Sequence, residues 1–306
     1  MKRTTLLGLA LAGALLAPVL TVAQQQPPAV TNDPVATQIN CSRVGLQNAA
    51  KAYVAAQTKG STAGLPLANG LGYYENNAPV DIKQGIIMKP LKVDNEFTIA
   101  DTSTCQTFTQ VIVTDKAAPY VLGTRLRVNH DKIAEIETVW TTTGYWLFNA
   151  EAYLKYATTE NWGPLAVESR TSRGDLEAAA NAYLDAFLEG KKDLVPWGYP
   201  CQRTEGGAYT GKGQADDSCD VGVPSGVNIA NRHYVVDEVT GNIVAICTFG
   251  AGSANGGSGA ADTHFFHVEK GKLRYVHTLT HLLQASFRGN NAGQSTNAGQ
   301  SSNAGK

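Results

Sequence analysis

The sequence predicts an α+β protein made of two similar domains in tandem. The main reason is a segment that occurs twice, with apolar residues at the i, i+3, i+4 and i+7 positions of an amphipathic helix. The first copy runs through Ser42, Arg43, Leu46, Ala49, Ala50, Ala52 and Tyr53, and the second through Ser172, Arg173, Leu176, Ala179, Ala180, Ala182 and Tyr183. In each copy the serine is a suitable N-cap. A glycine that can end the helix follows each copy, at Gly60 and at Gly190.

Runs typical of β-strands follow each predicted helix. In the first half they cover residues 72–74, 107–114, 120–128 and 133–141, and in the second half residues 228–238, 242–249, 263–269 and 273–281. Turn-forming residues at 129–131, 240–241 and 270–271 separate neighbouring runs and indicate hairpins. We therefore expect each half to be a long helix wrapped by a curved antiparallel sheet, with a pocket at its mouth.

The two ends of the chain differ from the rest in composition. Residues 1–23 combine Lys2 and Arg3, a short apolar stretch and a small-residue cleavage site, which indicates a secretory signal peptide. Residues 24–40 read as a flexible leader, and residues 285–306, which repeat Asn-Ala-Gly, read as a disordered tail. We place the first domain at 41–141, an aromatic-rich linker at 142–170 and the second domain at 171–284. The mature protein is expected to be periplasmic or extracellular.

Five cysteines fit an exported protein. We predict one disulfide in each half, Cys41–Cys105 and Cys201–Cys219. The second would close a loop of about 19 residues and stabilise the fold by about 3 kcal/mol. Cys247 lies in an apolar run and is predicted to be a buried free thiol, with a reactive nucleophile as the less favoured alternative.

Charge and motifs exclude several classes of function. The formal net charge is −1 and no basic patch carries interleaved aromatic residues, so nucleic acid is not an expected partner. No segment after the leader is apolar for long enough to cross a membrane. We predict no cofactor. The glycine-rich stretch 250–259 lacks the lysine of a phosphate loop, and the chain has no serine-nucleophile motif. A metal site at Asp262, His264, His267 and His277 is not favoured, because His264 and His267 fall on opposite faces of one strand.

The pattern of one helix and a following sheet resembles the nuclear transport factor 2-like (NTF2-like), or SnoaL-like, superfamily, here as a tandem. Several segments are also similar to a secreted family of unknown-function proteins common in fungi. In the first half they are 41–43, 52–57, 74–76, 102–108 and 119–125, and in the second half Glu205-Gly-Gly-Ala-Tyr-Thr-Gly211, 231–238 and 274–278. His233 departs from the basic residue expected after Arg232. The resemblance implies cone-shaped domains that pair through their sheets, either within the tandem or in a homodimer.

The strongest chemical cluster falls in the second half. Residues 200–211 form a structured loop or strand entry that holds Glu205 and Tyr209. Alternation puts Asp262, His264 and Phe266 on one face of one strand, and Tyr275, His277, Leu279 and His281 on one face of the next. If the concave faces converge on the pocket, four of these side chains meet there as an acid/base site: His277 or His264 as the base, Glu205 as the acid or orienting group and Tyr209 as a hydrogen-bond donor.

Other polar and aromatic side chains are predicted to bind the substrate. They are Arg203, Arg232, Asn231, Asp237, Tyr275 and Trp146. The linker aromatics either pack the domains together or line a groove for an aromatic molecule. The resemblance implies a small-molecule lyase, hydrolase or binding module, and the activity it suggests is glutathione-independent cleavage of lignin-type β-aryl ethers with water. The alternatives are a non-catalytic module that binds a hydrophobic small molecule and a purely structural secreted protein.

Overall fold

The computed structural model describes residues 38–252 and 258–284. The predicted signal peptide, nearly all of the predicted leader, the predicted tail and part of the loop between residues 250 and 259 lie outside them. Within the described residues the chain forms three α-helices, α1 (Arg43–Lys59), α2 (Ala150–Thr159) and α3 (Arg173–Glu189). The strands are β1 (Leu67–Glu75), β2 (Ala78–Pro79), β3 (Asn95–Asp101), β4 (Gln106–Val113), β5 (Tyr120–Asn129), β6 (Lys132–Thr142), β7 (Trp197–Glu205), β8 (Ala208–Tyr209), β9 (Ile229–Asp237), β10 (Asn242–Phe249), β11 (Ala260–Glu269) and β12 (Lys272–Thr280).

The repeated helices begin and end where the sequence predicts. Ser42 accepts a hydrogen bond from the Gly45 N–H at the start of α1, and Ser172 accepts one from the Asp175 N–H at the start of α3. Gly60 and Gly190 both adopt the left-handed conformation that closes a helix. The linker contains a further short helix, α2, which Asn149 caps by accepting a hydrogen bond from the Ala152 N–H.

The two halves contain six-stranded sheets with the same strand order. The first sheet runs β2-β1-β6-β5-β4-β3 and the second β8-β7-β12-β11-β10-β9. The pairs β1–β6 and β7–β12 are parallel, and all other pairs within these two sheets are antiparallel. The sequence analysis missed β3 and gave β7 only as a loop or strand entry. The described chain is therefore a mixed α+β protein with two repeated β-rich halves.

Each sheet carries its own long helix on one face, which we call the inner face. Tyr53 of α1 and Tyr183 of α3 are both fully buried against these inner faces. The opposite, outer faces pack on each other. Ile99 and Phe108 of the first sheet share one apolar cluster with Phe265 of the second, and Trp162 of the linker completes it. The sheets therefore pair within one chain.

Two reciprocal ion pairs join the halves across this interface. Arg173, at the start of α3, donates two hydrogen bonds to Asp101 of the first sheet, at 2.9 and 2.8 Å. Arg43, at the start of α1, pairs in the same way with Asp237 of the second sheet. Each carboxylate also accepts a backbone N–H from the other half, Val236 for Asp101 and Ala100 for Asp237, both at 3.1 Å. The two halves thus exchange equivalent contacts.

Both predicted disulfides are present. Cys41–Cys105 ties the start of α1 to the turn between β3 and β4, and Cys201–Cys219 ties β7 to the segment after β8. Cys247 is a free, buried thiol, as predicted. Among the helices of the described residues, none combines the length and apolarity needed to cross a membrane.

Candidate functional site

The inner face of the second sheet carries a buried arginine beside a half-buried carboxylate. Arg203 and Glu205 alternate along β7 and point to the same side. Arg203 donates to the Glu205 carboxylate and, at 2.9 Å, to the Val221 carbonyl. The side chain of Arg203 is 4% exposed and that of Glu205 21%. The second Glu205 oxygen accepts the indole N–H of Trp146 at 2.6 Å. Glu205 is therefore held from both sides and still reaches solvent.

The turn after Glu205 explains how the linker reaches it. Gly206 and Gly207 have φ angles of 61° and 118°, and a Cβ on either would lie 2.4 or 2.3 Å from a backbone oxygen of Trp146 or Asn149. Only glycine allows this close approach. The Asn149 N–H donates to the Gly206 carbonyl at 2.8 Å. The Glu-Gly-Gly motif thus brings the linker against the end of β7.

Tyr183 of α3 lies next to this pair. Its side chain is fully buried, and its hydroxyl interacts with the Arg203 guanidinium. Neither this hydroxyl nor Arg203 Nε nor Thr278 Oγ1 makes a well-oriented hydrogen bond among the described residues. Burial raises the pKa of Tyr183 to about 12, with the Arg203 charge opposing and the Glu205 and Asp262 charges adding to the rise. Buried polar groups without partners are costly. Their grouping here indicates a place for water or a bound molecule.

A second set of groups lies deeper on the same inner face. His264 Nδ1 is 3.1 Å from Asp262 Oδ2, and Cys247 Sγ is 3.9 Å from the same nitrogen. The His264 ring packs against the Tyr183 ring, with centroids 5.7 Å apart. Burial raises the pKa of the Cys247 thiol well above its usual range, and the Asp262 charge adds to the effect. These three groups could hold a metal ion.

The predicted convergence of Glu205, Tyr209, His264 and His277 is wrong. Glu205 and His264 both pair with Thr278 across neighbouring strands and share the inner face, whereas Tyr209 and His277 both pair with Thr204. Side chains alternate along a strand, so residues 277 and 278 point in opposite directions. The four side chains are therefore split into two pairs, one on each face of the sheet.

His277 and Tyr209 instead pack under the linker on the outer face. His277 Nε2 lies 2.6 Å from Glu160 Oε2, and both side chains are almost fully buried. The ring of Tyr209 stacks on Tyr156 of α2 at a centroid distance of 4.4 Å. Tyr275, predicted to bind substrate, packs on the same face with its ring 5.4 Å from Trp162. This face is closed by the linker, which favours the interpretation of its aromatics as packing residues.

The three predicted substrate-binding residues of β9 differ in what they contact. Asp237 is buried in the ion pair with Arg43, so its prediction as a substrate-binding residue is wrong. Arg232 is tied to α3 by hydrogen bonds of 2.7 Å to Asn181 and to Asp185. Asn231, at a bulge with φ 53°, lines a cleft between the halves together with Arg232.

This interdomain cleft is a polar cavity of about 580 Å³. Glu137 accepts from Arg125 Nε at 2.8 Å and lies 3.2 Å from His233 Nδ1. Tyr74 supplies the aromatic surface. Arg125 belongs to the first half and His233 to the second, and neither was predicted as a site residue. The two sheets meet at this point only after packing, so no spacing along the chain signals the cleft.

The first half repeats part of the Glu205 arrangement. Glu75 ends β1 as Glu205 ends β7, and it accepts an indole N–H from Trp140 at 3.0 Å. Tyr73 takes the place of Arg203 and donates to Glu75 at 2.6 Å. The Tyr53 hydroxyl, which matches that of Tyr183, has a partner in Thr124 at 2.7 Å. The first half therefore has the same carboxylate but a tyrosine hydroxyl with a hydrogen-bond partner.

Residues 169–280 match a protein family described as a domain of unknown function (DUF8021). The match contains α3 and the whole second sheet and covers less than half of the chain. A search of curated proteins found no match to the chain. The similarity therefore falls on the half that carries Glu205 and the unpartnered polar atoms, and it brings no named activity with it.

Proposed function

We propose that the protein is a secreted enzyme that performs acid/base chemistry on a small aromatic molecule, cleaving lignin-type β-aryl ethers with water and without an organic cofactor. The observation that carries this proposal is the Glu205 arrangement. A partly exposed carboxylate, held between Arg203 and Trp146, lies beside buried polar atoms that have no partner. Fixed titratable groups next to unsatisfied donors are what a catalytic pocket requires.

The proposed fold assignment is a tandem of NTF2-like cones. The repeated order of one long helix followed by the same six-stranded sheet supports it. Such folds carry many chemistries, so the fold does not select the reaction. Secretion is supported by the two disulfides, which persist in oxidising compartments.

In the proposed reaction, Glu205 acts as the general base. Its carboxylate takes a proton from water while the water oxygen forms a bond to the ether carbon. The bond from that carbon to the aryl oxygen breaks, and the departing phenolate takes the proton that Glu205 removed from water, which gives the phenol and restores the carboxylate. The Tyr183 hydroxyl, buried beside Arg203, stays protonated at neutral pH because burial raises its pKa to about 12, and it helps to hold the Arg203 side chain in place. Arg203 and Trp146 orient the carboxylate.

His264 no longer serves as the base in this scheme. It is 2% exposed, and its Nδ1 already faces Asp262. His277 is excluded from the same pocket because it lies on the outer face. The role of the base, predicted for a histidine, therefore passes to Glu205.

The test is product analysis with a phenolic β-aryl ether dimer in water enriched in heavy oxygen. We expect release of the phenol and incorporation of heavy oxygen into the other fragment. Glu205→Gln should reduce the rate by at least about a hundredfold, the usual scale of a general base. The matched control is Glu75→Gln, because Glu75 is the equivalent carboxylate of the first half, and it should keep the activity.

Unfolding curves of both variants separate loss of chemistry from loss of structure. Binding of the dimer with no product at any pH between about 5 and 9, where such acid/base groups operate, would instead identify a binding module. Neither binding nor product would refute the assigned substrate class. Equal losses in the two variants would refute the assignment of the site to the second half.

A further inference from the structure

Three buried side chains of the second half bring ligand atoms to one point. Cys247 Sγ lies 3.9 Å from His264 Nδ1 and 4.0 Å from Asp262 Oδ2, and the last two atoms are 3.1 Å apart. A point about 2.2 Å from all three atoms lies between them, and bonds from zinc to nitrogen, oxygen and sulfur are about 2.0 to 2.3 Å long. The spacing of the three atoms therefore fits one transition-metal ion.

The arrangement does not fit a catalytic cysteine triad. In such a triad the nucleophile contacts one imidazole nitrogen and the carboxylate orients the other. Here Cys247 and Asp262 both approach Nδ1 of His264. Convergence of a thiol, a carboxylate and an imidazole on the same point is instead typical of metal ligands.

The surroundings of Cys247, Asp262 and His264 also favour a bound metal ion. The side chain of Asp262 is fully buried and that of His264 is 3% exposed. The other Asp262 oxygen accepts a hydrogen bond from Thr280 Oγ1 at 3.0 Å, the kind of outer contact that orients a metal-binding carboxylate. The buried ring of Tyr183 packs against the His264 ring at a centroid distance of 5.7 Å, which closes this side of the cluster.

The first half shows that the fold does not need these groups. Strand pairing places Val111 opposite Leu122 on β4 and β5 at the position where Cys247 is opposite Asp262 on β10 and β11. Thr124 corresponds to His264 by the same register. Two apolar residues and a threonine thus fill the equivalent place, so the polar trio is a property of the second half alone.

We propose that Cys247, Asp262 and His264 bind a divalent transition metal, with zinc as the ion best matched to a sulfur, oxygen and nitrogen ligand set. With three protein ligands, the fourth position is available to water or to a bound molecule, as in catalytic zinc sites. The sequence predicts Cys247 only as a buried free thiol, because the register that places it opposite Asp262 appears only in the folded sheet. This proposal does not depend on ether cleavage.

The test uses the full chain, freed of metal with a chelator and titrated with Co²⁺. Thiolate-bound tetrahedral cobalt shows a charge-transfer band in the near ultraviolet. We expect this band to saturate at one equivalent and to disappear when Zn²⁺ is added. Cys247→Ser should abolish the band, and His264→Gln should weaken cobalt binding at least about tenfold, since even outer contacts have effects of that size.

Two further variants keep the test decisive. His267→Gln replaces another buried histidine of β11 on the opposite face and should leave the titration unchanged. The triple variant Cys247→Val, Asp262→Leu, His264→Thr copies the first half and should fold without binding cobalt or being stabilised by zinc. No charge-transfer band in the parent chain, or the same band in the triple variant, would overturn the proposal.

Discussion

The ion pair between Arg173 and Asp101 allows a sharp test of how the halves are joined. Arg173→Ala removes two charge-assisted hydrogen bonds and leaves a carboxylate that is 1% exposed without a counter-charge. Asp101 keeps three backbone donors, Ser103, Thr104 and Val236, each at 3.1 Å. Breaking a buried pair from one side usually costs about 3 to 5 kcal/mol. Because these donors remain, we expect the lower end, about 3 kcal/mol.

The assay is urea unfolding followed by tryptophan fluorescence at neutral pH. The control is Arg127→Ala, which removes a pair with Glu135 in which the Arg127 side chain is 44% exposed and the atoms are 3.3 Å apart. Such surface pairs contribute less than about 1 kcal/mol. Adding Asp101→Asn to Arg173→Ala should recover part of the loss, because the uncompensated charge is then gone.

The loss of stability caused by Arg173→Ala should also depend on pH, and its direction follows from the pKa of Asp101. Burial alone would raise the pKa of Asp101, but the Arg173 and backbone hydrogen bonds outweigh it and lower the pKa. Asp101 therefore stabilises the fold above its unfolded pKa of about 3.9 and loses this contribution as the pH falls through its lower folded value. The cost of Arg173→Ala should shrink in that acidic range. A cost below about 1 kcal/mol at neutral pH, or no recovery in the double variant, would refute the reasoning.

Two other predictions concern single side chains. Burial and, to a smaller extent, the Arg274 charge lower the pKa of His267 to about 4. An unfolded histidine titrates near 6.5, so this group should cost stability as the pH falls from about 6.5 towards 4. An NMR titration of its ring checks this, and a midpoint near the unfolded value would contradict it. Tyr53→Phe should cost about 1 kcal/mol, because it removes the 2.7 Å bond to Thr124. Tyr183→Phe in the metal-free chain should cost less, because the Tyr183 hydroxyl makes no well-oriented hydrogen bond. Equal costs in urea unfolding would show that the two hydroxyls have similar environments.

The parts of the fold that depend on local sequence could be predicted. Ser172 and Gly190 mark the ends of α3 because capping acts within one turn of a helix. The hairpins could be predicted for the same reason, because Thr240-Gly241 and Lys270-Gly271 form turns from local sequence alone. The strand β3 escaped prediction because its alternating residues, Asn95 to Asp101, bury one face only after the two sheets pack.

The candidate site could be predicted only in part. Alternation correctly grouped Asp262 with His264, yet it does not say which face of a strand points inward. The sequence therefore could not show that His277 points to the outer face, where the linker covers it. Cys247 could be predicted only as a buried thiol, because its neighbour Asp262 lies across a hairpin whose register the sequence does not give. Only three-dimensional pairing brings such groups together.

The back-to-back pairing of the two sheets has a consequence for how the halves can differ. In a dimer of identical chains, every substitution appears twice, and a change that serves one pocket is imposed on the other. In this tandem each half can change alone, provided that Arg43, Asp101, Arg173 and Asp237 keep the exchanged contacts. One half can therefore remain a scaffold with an apolar interior while its twin accumulates charged and reactive groups that an interior normally rejects.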